Sequence, residues 1–234
     1  MSELARVGND VVDLRDPDSN PQTHPRRFDE RVFSLDERRL LEEAPDELPL
    51  RWRLWSAKEA AFKAARKRDR AVVFSPPRFE VEVRGPGESR VTYRASEGVS
   101  ERFDLRWWQT NDAVHAIARP ASAGAPAHQS DLIHGFRRFR RPHRLAVNDS
   151  KRHSDAALDP SQAVRDFAIE RVAAALDLPR ADLEIRTHQR VPSLWRGDHP
   201  VAADLSLSHH GDWIAFACQI RQIRQIRRIG WERS

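Results

Sequence analysis

The chain has 234 residues, room for one large domain or two small ones. Hydrophobic residues make up 39% and charged residues 32%, and no run approaches the roughly 18 apolar residues of a membrane span. Cys218 is the only cysteine, which excludes an intrachain disulfide and a cysteine-based zinc site. The start, Met1-Ser2-Glu3-Leu4-Ala5-Arg6, lacks the charged flank and apolar run of a signal peptide, so a soluble cytoplasmic protein is expected. Net charge is +5, which suits polyanionic partners: nucleic acid, phosphorylated ligands or acidic proteins.

In chain order, Val7 to Leu14 reads as a strand entered through Gly8. Leu35 to Glu43 reads as a short helix, with Ser34 as N-cap and Glu37 at capping-box spacing. A longer helix is expected from about Leu50 to Arg68. Alternating segments at 78–84, 90–95, 102–109 and 113–118 follow as an antiparallel sheet. The stretch Arg119 to Ala127, rich in Pro, Gly and Ala, reads as a linker. Beyond a basic patch at 137–141, Asp159 and Pro160 stand as N-cap and N1 of a helix running to about Leu176. Leu183 to Thr187, Asp204 to Leu207 and Trp213 to Gln219 read as strands. Each half thus offers a helix plus a sheet. The expectation is an α+β protein: residues 1–120 as one half, 121–130 as linker and 131–234 as a similar second half. The tail from Gln219 repeats every three residues, a period that suits neither strand nor helix.

The basic residues carry sharper information than their sum. Only four of the 40 are lysines, and Lys58, Lys63 and Lys67 fall in one ten-residue window. Arginine preference is most simply a compositional bias, so that window calls for a compact ammonium rather than a planar fork. On the same helix, Trp55, Glu59, Phe62 and Arg66 fall along one side. A carboxylate among aromatics is desolvated unless paired; the plainer reading is an i,i+4 pair of Glu59 with Lys63 on a solvated face. In the first strand, alternation puts Asp10 and Asp13 on opposite faces, so both cannot serve one site. Asp10 either binds a cation or caps backbone amides. Two carboxylates on separate elements, with lysines beside one, suit Mg²⁺ shared between protein and substrate phosphates. Near the C-terminus, Asp204-Leu205-Ser206-Leu207-Ser208-His209-His210-Gly211 ends a strand where Ser208 and His209 could donate to a phosphate. No third ligand at recognisable spacing supports zinc on the paired histidines.

These segments together resemble the 4′-phosphopantetheinyl transferase superfamily. Gly8-Asn9-Asp10-Val11-Val12-Asp13-Leu14 is similar to its Gly-x-Asp strand. Trp55-Ser56-Ala57-Lys58-Glu59-Ala60-Ala61-Phe62-Lys63 follows its Trp-Ser-x-Lys-Glu-Ala-x-x-Lys helix, and Pro200 with Ser206-Leu207-Ser208-His209 resembles its Pro…Ser-x-Ser-His stretch. The resemblance implies two similar helix-plus-antiparallel-sheet halves related by a pseudo-twofold, acting as a monomer. It implies transfer of phosphopantetheine from coenzyme A to a serine of an acyl or peptidyl carrier protein, with Mg²⁺. Carried over residue by residue, Asp10 and Glu59 would hold the metal. Glu59 and Lys63 would act in catalysis, and Lys58, Lys63, Ser208 and His209 would bind coenzyme A.

Three departures accompany the resemblance. The histidine stretch follows the carboxylate motifs instead of preceding them, which points to a circular permutation or swapped fusion and predicts neighbouring termini. Val12 stands where two-half members often carry another acidic ligand. His199 precedes Pro200 where lysine or arginine is usual. Two other functions stay open on sequence: an inactive family member serving as a scaffold, and a basic nucleic-acid-binding module. No membrane partner is expected.

Overall fold

The computed structural model describes residues 6–24, 27–95, 98, 100–121, 131–139 and 159–220. Its elements run β1 (Gly8–Asp13), α1 (Phe28–Val32), α2 (Leu35–Glu42), α3 (Glu47–Arg68), β2 (Phe79–Gly85), β3 (Glu88–Arg94), β4 (Ser100–Gln109) and β5 (Ala113–Pro120). After these come β6 (Leu132–Arg138), α4 (Pro160–Leu176), β7 (Leu183–His188), β8 (Val191–Arg196), β9 (His199–Pro200), β10 (Ala203–His210) and β11 (Trp213–Ile220).

The first half is a five-stranded antiparallel sheet, β1-β5-β4-β3-β2, covered by α3. The buried face of α3 is built from Leu54, Ala57, Ala60, Ala61, Ala64 and Ala65. Small side chains let the helix backbone come close to the sheet, and β1 meets it where β1 has no side chain. A Cβ on Gly8 would stand 1.9 Å from the Ala60 carbonyl oxygen. Phe79, Val91, Phe103 and Leu105 fill the rest of this core. The capping box at Ser34 and Glu37 forms as the spacing predicts.

The second half repeats the plan. Its first strand, β6, pairs with its last, β11, which pairs with β10, as β1 pairs with β5 and β5 with β4. The counterpart of the outer strands splits off as a separate three-stranded sheet, β7-β8-β9. Helix α4 begins as expected, with the Asp159 side chain accepting from the Ser161 amide and Pro160 in the first turn. It buries Val164, Phe167, Ala168, Val172 and Leu176 against Leu205, Ile214 and Phe216.

The halves interlock reciprocally. β1 lies along β10, with the Asn9 amide 3.0 Å from Ser206 Oγ. β6 lies across β4 and β5, its His134 ring 4.2 Å from that of Trp108 and its Phe136 ring 5.1 Å from that of His115. Each half's first strand therefore meets the other half's last two, the relation a pseudo-twofold requires.

Sequence patterning missed β6, because Arg137 and Arg138 read as a patch rather than as the end of a strand. Those two arginines pair with Glu170 and Asp212; 140 and 141, most of the expected linker and the period-three tail beyond Ile220 lie outside the described residues. Among the described residues no helix is long and apolar enough to cross a membrane.

Candidate active site

β1 is hydrogen-bonded to β5 along one edge only. Its other edge presents the amides of Val7, Asn9, Val11 and Asp13, and β10 meets them with side chains instead of backbone. Asp204 Oδ2 accepts from Val7 at 2.5 Å, Ser206 Oγ from Asn9 at 3.0 Å, Ser208 Oγ from Val11 at 3.4 Å and His210 Nδ1 from Asp13 at 3.2 Å. The period of two along β10 puts all four side chains on that edge. Two carbonyls of the same edge are satisfied from α3: Lys67 Nζ donates to Val7 at 2.6 Å and Lys63 Nζ to Asn9 at 3.0 Å.

At the far end of this seam a cleft of about 350 Å³ opens, lined by Asp10, Trp52, Trp55, Glu59, Lys63, Ser208, His209 and His210 among others. Asp10 Oδ1 accepts from Lys63 Nζ at 2.8 Å and from Ser208 Oγ at 2.8 Å. Glu59 faces Asp10 without a comparable partner, because Lys63 turns to Asp10, Asn9 and Ser208. Burial, then repulsion by Asp10, against attraction by Lys63, push the Glu59 carboxyl up to about 7. The solvated i,i+4 pair of Glu59 with Lys63 is thus not what forms. Asp13, on the opposite face, takes the amide-capping role instead: its carboxylate accepts from Arg15 and Asp212, each at 2.9 Å. Gly211, at φ +52°, keeps that contact possible, since a Cβ there would stand 2.5 Å from Asp13 Oδ2.

One of the expected coenzyme A contacts is corrected. Lys58 is fully buried away from the cleft, its Nζ held by Glu37 at 2.8 Å and by the carbonyls of Phe79 at 2.5 Å and Pro76 at 3.2 Å. It braces α2 and the start of β2 and cannot reach a phosphate. Ser208 lines the cleft at 7% exposure and its hydroxyl donates to Asp10, so it positions that carboxylate. Lys63 and His209 do face the cleft. All three Lys63 donors are engaged within the protein, so what it offers a ligand is charge.

The lysine window now has a physical account. Lys58, Lys63 and Lys67 each satisfy three acceptors pointing in different directions. A tetrahedral ammonium can do this and a planar guanidinium cannot.

A second cavity of about 330 Å³ shares Lys63, Leu207 and His209 with the first and extends between the halves. Arg66, Arg165 and Arg190 line it, with Ser161 in the first turn of α4. Sequence reading missed these arginines, which were indistinguishable among so many. His199 and Pro200, where the resemblance departs from its usual lysine or arginine, form the exposed strand β9 and line neither cavity. Arg190 follows Gln189 in a β7–β8 turn where both hold positive φ, 66° and 49°, an unusual conformation for residues with side chains.

Residues 6–118 match the family model described as the 4′-phosphopantetheinyl transferase superfamily. The first half of the chain is similar to that superfamily. The superfamily match spans β1 through most of β5, and with them Asp10, Glu59 and Lys63. Solved structures similar to this chain include the holo-[acyl-carrier-protein] synthase of Neisseria meningitidis. That similarity has 17% identity and a TM-score of 0.38, covering 50% of this chain and 98% of that one. Another is the holo-[acyl-carrier-protein] synthase of Thermotoga maritima, with 14% identity and a TM-score of 0.37, covering 83% of this chain and 84% of that one. Among curated proteins nothing matches this chain.

Proposed function

We propose that the protein transfers the 4′-phosphopantetheine group from coenzyme A to a serine of an acyl or peptidyl carrier protein, with Mg²⁺. The observation that carries this reading is the pair Asp10 and Glu59. They come from different elements to one cleft, where the charge of Asp10 helps drive Glu59 up to about 7. Two carboxylates facing each other are a poor resting arrangement and a good divalent-cation site. Among the described residues no set of three ligating side chains gathers, so substrate phosphates and water would have to complete the cation's shell. Bound between these carboxylates, Mg²⁺ would neutralise the diphosphate and the departing 3′,5′-ADP.

The protein's own groups divide the remaining work. The arginine-lined cavity takes the nucleotide: Arg66, Arg165 and Arg190 supply positive charge to its phosphates, and His209 stands where the two cavities join. Lys63 sets its charge beside the diphosphate as the reacting phosphorus gains electrons. The carrier serine Oγ bonds to the phosphorus of the pantetheine-side phosphate while the bond from that phosphorus to the bridging oxygen breaks. The electron pair leaves with 3′,5′-ADP, and the serine proton passes to the Glu59 carboxylate, which lines the same cleft.

The halves are further proposed to be joined in swapped order. Ile220 pairs with Ala203 at the same end of the seam where Val7 meets Asp204, and Val7 touches Ala217. A short link from the end of β11 to the start of β1 would restore the usual order.

Titration with Mn²⁺ and with coenzyme A tests the reading directly. The wild type should bind both, Asp10→Ala and Glu59→Gln should lose the cation, and Arg165→Ala and Arg190→Ala should weaken coenzyme A alone. Wild-type protein that binds neither ligand would overturn it.

A further inference from the structure

The side chains of β10 that face β1 each cap one of its amides. Asp204 Oδ2 also meets Lys67 and Ser208 Oγ also donates to Asp10, while Ser206 Oγ accepts from the Asn9 amide. His210 also caps an amide, with Nδ1 accepting from Asp13 at 3.2 Å. An imidazole that accepts at Nδ1 carries its proton at Nε2. That N–H points away from β1, and among the described residues it meets no hydrogen-bond partner in the protein. The ring is half-buried and lines the same cleft as Asp10, Glu59 and Lys63.

The fixed tautomer settles what His210 can offer. It is a neutral donor with one free N–H, and it cannot accept a proton at Nδ1 without giving up the Asp13 amide. It is therefore neither the base for the carrier serine nor a metal ligand through Nδ1. The geometry points to His210 as a substrate-contacting residue, donating its Nε2–H to an anionic oxygen of the coenzyme A diphosphate. This rests on the transferase reading, which places the diphosphate in this cleft. Asp10 and Glu59 supply only acceptors, and the Lys63 donors are engaged by protein atoms. His210 thus adds a directed donor beside Asp10, Glu59 and Lys63.

Two substitutions separate the ring's two nitrogens. In His210→Asn the amide oxygen can replace Nδ1 as acceptor for Asp13, but nothing reaches the place of Nε2–H. In His210→Gln the longer amide can present N–H near Nε2, but the short-range acceptor is lost. Binding of coenzyme A and of adenosine 3′,5′-bisphosphate, which lacks the diphosphate, is measured calorimetrically for both variants and the wild type, with melting temperatures alongside. His210→Asn should melt near the wild type, bind coenzyme A about tenfold or more weakly, as loss of a hydrogen bond to a charged group implies, and bind adenosine 3′,5′-bisphosphate unchanged. His210→Gln should retain more coenzyme A affinity and lose stability. Unchanged coenzyme A affinity in His210→Asn, with a wild type that binds, would overturn the role of His210 and leave the transferase reading standing. Equal weakening toward both ligands would overturn it as well. A wild type that binds neither ligand would instead remove the transferase reading beneath it.

Discussion

Lys58 and Lys63 sit five residues apart on one helix, and the same motif implies ligand contact for both. The protein treats them oppositely. Lys58 is sealed in the core against Glu37, and burial lowers its pKa while Glu37 works to raise it. Removing one member of a buried pair leaves the other uncompensated, which costs about 3–5 kcal/mol. Lys58→Met should therefore lower the melting temperature strongly while leaving the KM for coenzyme A unchanged in whatever protein stays folded; a raised KM at unchanged stability would return Lys58 to the binding site. Helical spacing placed Glu59 correctly on the aromatic side of α3, but it could not say that Lys63 would abandon Glu59 for Asp10. That depended on β1, 53 residues before Lys63 at Asp10, and on Ser208 of β10, 145 residues after it.

Glu59 also gives a pH signature. In metal-free protein its folded pKa of about 7 lies above its ordinary value of 4.5. The folded state therefore holds a proton the unfolded chain would release. This contribution to stability is fully present below about pH 4.5 and is lost as pH rises through about 7. Thermal denaturation of EDTA-treated protein across that window should show stability falling with pH. The fall should be smaller in Glu59→Gln, which carries no charge at either end. Parallel profiles for the two proteins would contradict the placement of Glu59 beside Asp10.

At the scale of elements, the Gly-x-Asp strand joins two requirements. Asp10 serves the cleft; Gly8 lets β1 approach the alanine face of α3, where a Cβ would fall 1.9 Å from the Ala60 oxygen and 2.8 Å from the Ala64 nitrogen. Both obstacles are backbone and neither can swing aside. Gly8→Ala should cost at least the 1–3 kcal/mol typical of overpacking, read as a lowered denaturation midpoint or insoluble protein, and near-wild-type stability would refute the close approach. The elements with strong local signals were legible in sequence: the capping box of α2, the Asp159-Pro160 start of α4, and the alternating strands β2 to β5. β6 was not, because Leu132 to Arg138 is half-buried throughout most of its length and shows no clean alternation. The arginines of the second cavity were hidden for a different reason. Their role depends on position between two halves, and no local pattern marks it.

Over the whole molecule, the reciprocal seams set two strand–helix ion pairs in corresponding places, with their charges arranged oppositely. Two residues past Gly8, β1 has Asp10 paired with Lys63 of α3. Two residues past Gly135, where a Cβ would stand 3.0 Å from the Phe167 ring of α4, β6 has Arg137 paired with Glu170. The charges are exchanged between strand and helix, and an arginine at that place repels a cation. The chain should bind one Mn²⁺, not two, by calorimetric stoichiometry. The swapped order of the halves has its own test. A chain opened between 121 and 131, with 220 joined to 6 by a short linker, should fold and retain the ligand binding of the parent. A permuted chain that fails to fold, even with longer linkers, would count against adjoining ends.

The most direct measurement is mass spectrometry of an apo carrier protein incubated with this protein, coenzyme A and Mg²⁺. The account predicts a mass gain matching one phosphopantetheine, abolished by EDTA and absent with Glu59→Gln or Asp10→Ala. An unmodified carrier across fatty-acid, polyketide and peptide-synthetase types, or transfer that persists in Glu59→Gln, would contradict it.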